Sequence, residues 1–208
     1  MRIAVVVFEG FDELDAIGPL EVLRNAAAMG QVDLSVELVA LDGAAEVTGS
    51  HGLVVRTDGP LDPDRTDLLV IPGGGWNDRG ARGAWAEAGR GDLPAAIAAA
   101  HEAGAVVATV CTGAMLATAA GLTRGRPAVT HHDAIEDLRA AGAEVVEARV
   151  VDDGDLVTAG GVTSGLDMAL WLVERHFGAE LADRVAAEIE HPRHGEVWRA
   201  RSGPPAPG

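Results

Sequence analysis

The chain has 208 residues, 48% of them hydrophobic, enough to fill one generous core rather than two cramped ones. Acidic residues outnumber basic ones 32 to 16, and the formal charge of −16 argues against a nucleic-acid or anionic-membrane partner and for a neutral or cationic small molecule. A single cysteine excludes an internal disulfide, and 3% aromatics with no tyrosine leave no platform for stacking bases.

The opening run RIAVVVF (2 to 8) reads as a strand. With one basic residue before it and acids after it, the start suits neither a membrane span nor a signal peptide, so a soluble cytoplasmic protein is expected. FEGFDELDAIGPLEVL (8 to 23) follows as a loop, with a helix over 19 to 30 opened by Pro19. Within that loop Asp15 is flanked by Leu14, Ala16 and Ile17, so it is the acid expected to lose water and gain a raised pKa fit for proton transfer. Asp12 and Glu13 are expected to stay solvated.

LSVELVAL (34 to 41) is the next strand, and EVTGSHGLVVRTDG (46 to 59) a strand pair around turn residues. DLLVIP (67 to 72) is a strand running into three glycines, where the backbone can approach a ligand. Neither a GxGxxG pattern nor a lysine accompanies them, so the loop reads as a donor for an oxyanion or as a plain tight turn, not as a phosphate cradle. A helix over 93 to 104 leads to the strand AVVATV (105 to 110), then Cys111, then a helix over 113 to 121. PAVTH (127 to 131) reads as a strand, 134 to 142 as a helix, and 144 to 160 as an antiparallel pair turning at Asp153-Gly154. Helices over 163 to 178 and 179 to 190 close the pattern. Alternating strands and helices mean βαβ units, a doubly wound α/β fold with a mostly parallel sheet between helices. One domain is expected over 1 to 195, with a flexible tail over 196 to 208.

Cys111 is the residue on which function turns. At the carboxyl end of a parallel strand it would occupy a strand-to-helix turn, the nucleophile-elbow arrangement with sulfur in place of oxygen. The following helix N-terminus would favour thiolate, and amides beginning with Thr112 would face a developing anion. A lone cysteine in an apolar run is also common as buried filler, and both readings stand on pattern alone. His131 follows the next strand and could border Cys111; Trp76, beside the glycine loop, could line the pocket. His131, His132 and Asp133 could suggest a metal, but adjacent histidines leaving a strand should point apart, so no metal is expected. The HPRH run (191 to 194) reads as a polar tail.

Taken in order, FEGFDELDAIGPLEVL, IPGGG, ATVCTGAMLATAAGLTRGRPAVTH and RVVDDGDLVTAGGVTSGLDMALWLVERHFG resemble the ThiJ/PfpI superfamily, the flavodoxin-like, class I glutamine amidotransferase-like proteins. Within it, LDAIGP, CTG and TAGGVTSGLDMAL look most like isocyanide hydratases and the amidase-like domains of AraC-type regulators. The resemblance implies Cys111 as nucleophile, Asp15 as its acid/base partner, Thr112 as a turn residue contacting the site, and the amides of Gly74 and Thr112 as anion donors. It also implies a homodimer. The chain has Thr112 where the peptidase-like branch has histidine after cysteine, which speaks against a Cys-His-Glu triad.

The leading expectation is a cofactor-free lyase that hydrates an isocyanide to an N-substituted formamide through a Cys111 thioimidate. Glyoxalase-like, deglycase-like or amidase-like action on the same cysteine is the alternative, and a non-catalytic ligand or redox sensor the third. For a sensor of the AraC type, EVWRARSGPPAPG is too short to be a helix-turn-helix region.

Overall fold

Strands form where Val, Ile and Leu run without a polar face, because helices cover both sides of the sheet. The computed structural model describes residues 1–30 and 32–200. In chain order it contains β1 (Arg2–Val7), α1 (Glu13–Gly30), β2 (Ser35–Ala40), the hairpin β3 (Glu46–Thr48) and β4 (Val54–Arg56), β5 (Gly59–Pro60) and β6 (Leu68–Ile71). Then come α2 (Ala84–Arg90), α3 (Asp92–Glu102), β7 (Val106–Val110), α4 (Gly113–Ala119), β8 (Pro127–Ala128), α5 (Ile135–Ala140) and β9 (Glu144–Val145). The chain continues through β10 (Val150–Asp152), β11 (Leu156–Ala159), α6 (Ser164–Phe177), α7 (Ala179–Glu188) and β12 (Val197–Arg199).

The main sheet has eight strands in the order β12-β10-β11-β7-β6-β1-β2-β5, parallel except where β10 meets β11. Helices α1, α6 and α7 pack together, and α2, α3, α4 and α5 form a second group, giving a helix-sheet-helix sandwich of the flavodoxin-like α/β kind. Val5, Val6, Leu69, Val70, Val107 and Ala108 make the fully buried centre. From β1 the chain steps outward to β2, then returns to the other side of β1 for β6. The order therefore reverses between β1 and β6, where open parallel sheets gather ligands. Among the described residues no helix is long and apolar enough to cross a membrane.

Four expectations need correction. Helix α1 begins at Glu13, not Pro19: Asp12 Oδ1 accepts the Leu14 N–H at 3.2 Å and starts the helix, while Pro19 sits inside it, its ring unable to donate to the Asp15 carbonyl. Asp15 is therefore in the first helical turn and not in a loop. The strand expected over 127 to 131 does not join the main sheet; only its first two residues are strand, and they pair with β9 in a side ribbon. The HPRH stretch is not a free tail. His191 Nε2 lies 3.1 Å from Asp167 Oδ1, and the His194 N–H donates to the same oxygen at 2.8 Å. Finally, the part of the expected tail at Val197–Arg199 is β12, which pairs with β10 and extends the sheet; residues 201 to 208 lie outside the described residues.

Candidate active site

Three consecutive sheet positions deliver the site. Asp15 follows β1, the glycine loop follows β6, and Cys111 follows β7, so the glycine loop stands between carboxyl and thiol. Gly74, at φ +112°, and Gly113 are glycine for a steric reason: a Cβ on Gly74 would collide with the Asp12 amide, and one on Gly113 with the Ile71 carbonyl. The turns are packed backbone to backbone.

Cys111 adopts φ 57°, a left-handed conformation that is uncommon outside glycine, and is clamped on both sides. Its N–H donates to the carbonyls of Ala159 at 3.1 Å and Gly160 at 2.9 Å, and its own carbonyl accepts the Thr130 hydroxyl at 2.9 Å. The backbone amides of Val162 and Thr112 lie near the sulfur and favour its charged form. Val162 itself is at φ 30°, an outlier for a β-branched residue, so two strained positions hold the turn and one of the amides aimed at it.

Asp15 is fully buried. Its Oδ2 accepts the Gly73 N–H at 3.0 Å, and Oδ1 has no hydrogen-bond partner among the described residues. Loss of water pushes its pKa up to about 7, and the charge of Asp12 adds to the rise; the Gly73 amide and the nearby Cys111 thiol offset part of it. Burial, followed by the Asp15 charge, pushes the Cys111 thiol up to about 12 against the pull of the Val162 and Thr112 amides. The thiolate expected from the helix N-terminus is outweighed: α4 is seven residues long, and the sulfur is nearly sealed with a carboxylate beside it. Asp15 ionises first as pH rises, at about 7, while the thiol keeps its proton.

The remaining expected residues divide. Thr112 is at the site, but its hydroxyl oxygen accepts the Gly74 N–H at 3.0 Å. That contact occupies the Gly74 amide, which therefore does not face the sulfur as an anion donor; the amide that does, besides Thr112, is Val162, a residue no sequence pattern marked. Trp76 is turned away: its indole N–H donates to Asp137 Oδ2 at 2.7 Å, and its ring packs edge-on against Trp85 with centroids 5.1 Å apart. His131 packs against Gly161, behind the turn that supplies Val162, and burial lowers its pKa. His131 and His132 do not point apart. Their ring centroids are 4.1 Å apart, and with Asp133 they bring three possible ligand atoms within 4.8 Å, because a short 3-10 turn folds them together.

A groove of about 570 Å³, lined by Asp12, Glu13, Leu14, His51, Leu53 and Val162, opens beside the turn. Glu13, expected in solvent, is instead the anchor of the β3–β4 loop. Its Oε1 accepts the His51 N–H at 2.6 Å, and its Oε2 lies 2.6 Å from His51 Nδ1. Despite partial burial, these bonds lower its pKa to about 2, and they raise that of His51. The Asp-first turn of α1 was the available sequence clue, since a helix starting at residue 13 brings Glu13 and Asp15 into its first turn.

Residues 1–175 match the model of the DJ-1/PfpI family. Over 195 residues the chain is 33% identical to an isonitrile hydratase of Pseudomonas putida, covering 92% of this chain and 78% of that protein. Over 162 residues it is 29% identical to a deglycase of Thermococcus kodakarensis, covering 76% and 89%. The solved structure of a ThiJ/PfpI family protein from Pseudomonas syringae superposes with a TM-score of 0.78 at 26% identity, covering 98% of this chain and 78% of that one. An AraC family transcriptional regulator from Pseudomonas putida shares the fold, with a TM-score of 0.75 at 19% identity over 90% of this chain and 98% of that one. Sheet order, the clamped cysteine turn and a family match across most of the sequence agree, and the chain belongs to the DJ-1/PfpI family.

Proposed function

We propose that this protein is a cysteine-dependent enzyme that hydrates an isocyanide to an N-substituted formamide. The observation that carries the reading is the pairing of a fully buried Asp15, with its pKa pushed to about 7, and a strained, hydrogen-bonded Cys111 beside it. The likeness to the isonitrile hydratase supports the choice of substrate.

In the proposed reaction Asp15, as carboxylate, takes the thiol proton while the sulfur bonds to the terminal isocyanide carbon. The same proton then passes from Asp15 to that carbon, leaving the thioimidate R–N=CH–S–Cys. Water adds across the C=N bond, with one proton going to nitrogen. The C–S bond then breaks, the sulfur regains the proton of the former water hydroxyl through Asp15, and R–NH–CHO leaves. The sum is one water added, with no oxidant and no cofactor. The Val162 and Thr112 amides offset negative charge on sulfur each time it forms. Leu14, Leu53 and Val162 give the groove an apolar side for the substituent R.

The test is formamide formation from a panel of alkyl and aryl isocyanides, followed by infrared loss of the isocyanide band. Turnover should vanish in Cys111→Ser, and kcat/KM should rise with pH through about 7 and then stay level well into alkaline solution, because the thiol titrates only near 12. No formamide from protein whose Cys111 still alkylates would reject the reaction. The deglycase relative favours a second reading, attack by the same sulfur on a reactive carbonyl. Cys111-dependent consumption of methylglyoxal without isocyanide turnover would select it.

A further inference from the structure

A second cavity, of about 470 Å³, lies between α5, the β8–β9 ribbon and the start of α6, and shares no residue with the groove beside Cys111. Its walls include Val129, Ile135, Val145 and Val146. Into this apolar space the chain brings Ser164, a residue only 3% exposed, whose hydroxyl has no hydrogen-bond partner among the described residues. The hydroxyl oxygen is not one of the sealed, partnerless polar atoms of the interior, so it meets the cavity and is free to bond a molecule held there.

The charge around the cavity is unlike that of the chain as a whole. Arg139 and Arg149 line it against one acid, Glu147, in a protein of net charge −16. Arg149 is held by Asp167 at 2.5 Å through Nε and by the Thr163 hydroxyl at 2.9 Å through Nη2. Its Nη1 has no partner among the described residues. Arg139 pairs with Glu136 on the surface, a contact weak enough in water for the guanidinium to turn inward.

We propose that this cavity is a second ligand site, separate from the cysteine, for a small monocarboxylate carried on an apolar body. The carboxylate would take the Ser164 hydroxyl and an arginine N–H, and the body would fill the valine and isoleucine walls. Glu147 at the lining opposes a dianion such as phosphate. Occupancy reaches Cys111 through two backbone contacts, because Thr130 and Gly160 line this cavity and also bond the Cys111 carbonyl and amide.

Titration calorimetry of the full chain tests it, with Cys111 first blocked by iodoacetamide so that binding in the cysteine groove cannot contribute. Benzoate should saturate with a Kd on the order of millimolar, and benzyl alcohol, its uncharged counterpart, should bind about tenfold more weakly. Ser164→Ala, which keeps α6 and removes one oxygen, should weaken benzoate about tenfold, and Arg139→Gln should weaken it by less. Equal affinity for the two probes, no saturation by benzoate, or an unchanged Kd in a folded Ser164→Ala protein would each overturn the proposal. None of these outcomes depends on whether Cys111 hydrates isocyanides.

Discussion

Glu13 and Asp15 stand in the same first turn of α1, yet their acidities move in opposite directions, to about 2 and about 7. Both carry part of the helix N-terminal field, but Asp15 is fully buried and loses far more water than Glu13, and that burial is the largest cause of its rise. Partners widen the gap. Glu13 collects the amides of His51 and Leu53 together with the His51 ring, all of which favour its charge. Asp15 receives one amide, leaves Oδ1 without a partner among the described residues, and has the charge of Asp12 and a thiol for neighbours. One carboxylate fastens a loop; the other keeps its proton within reach at neutral pH. A helix can thus hold a structural acid and a chemical one within a single turn when burial differs and neighbouring loops distribute donors unequally.

The largest way to break this contrast is Asp15→Asn. If Asp15 moves the thiol proton, kcat should fall by about 10² to 10⁴. The same substitution removes the charge that helps hold the thiol up, so Cys111 should alkylate faster at pH 8 than in the parent. A variant slower in both assays would mean that Asp15 only shapes the turn. Stability gives an independent readout. A carboxyl whose folded pKa is raised above its unfolded value of 3.8 favours the native state below that value, and the benefit is lost as pH rises through about 7. The parent should therefore lose stability relative to Asp15→Asn between pH 4 and pH 8, by at most about 4 kcal/mol. Thermal melts at the two pH values measure it.

Glu13→Gln sharpens the comparison from the other side with a smaller effect. Here the folded pKa is depressed, so the stabilisation is present above the unfolded value of 4.5 and disappears as pH falls through about 2. The variant should melt a few degrees below the parent at pH 7, roughly the effect of about 1 kcal/mol, with the gap closing toward pH 2. Its Cys111 alkylation rate should stay close to that of the parent. A matching loss of alkylation would tie the β3–β4 loop to the sulfur directly.

How far the sequence disclosed this arrangement follows from the range of the contacts involved. Apolar runs broken by glycine expose the sheet and the cysteine turn, because strand burial and turn sterics are written in neighbouring residues. Asp15 could be singled out among four acids for the same reason, its apolar flanks. What could not be read is who supplies the donors. Gly73 reaches Asp15 across 58 residues, and His51 reaches Glu13 across 38. The Gly74 amide was assigned to an anion but is taken by Thr112, also 38 residues away. Val162 comes near the sulfur through its backbone amide, at a left-handed φ of 30°, which no side-chain pattern of Val announces. Nor did the histidines at 191 and 194 look structural, since their partner Asp167 lies on a helix 24 to 27 residues earlier.

Asp12 gives the finest test, because it acts on both members of the reacting pair without being one of them. Its charge raises Asp15 and, more weakly, Cys111, while its Oδ1 starts α1 by accepting the Leu14 amide. Asn keeps that cap, as Asn and Asp serve about equally at helix starts, so Asp12→Asn should leave the melting temperature nearly unchanged. With the charge gone, Asp15 ionises more readily, and the rise of kcat/KM with pH should move to the acid side of its position in the parent. The plateau should keep nearly its original height, since both reacting groups remain. An acid limb that stays where it was, in a variant that still turns over, would mean that a group other than Asp15 sets the pH dependence.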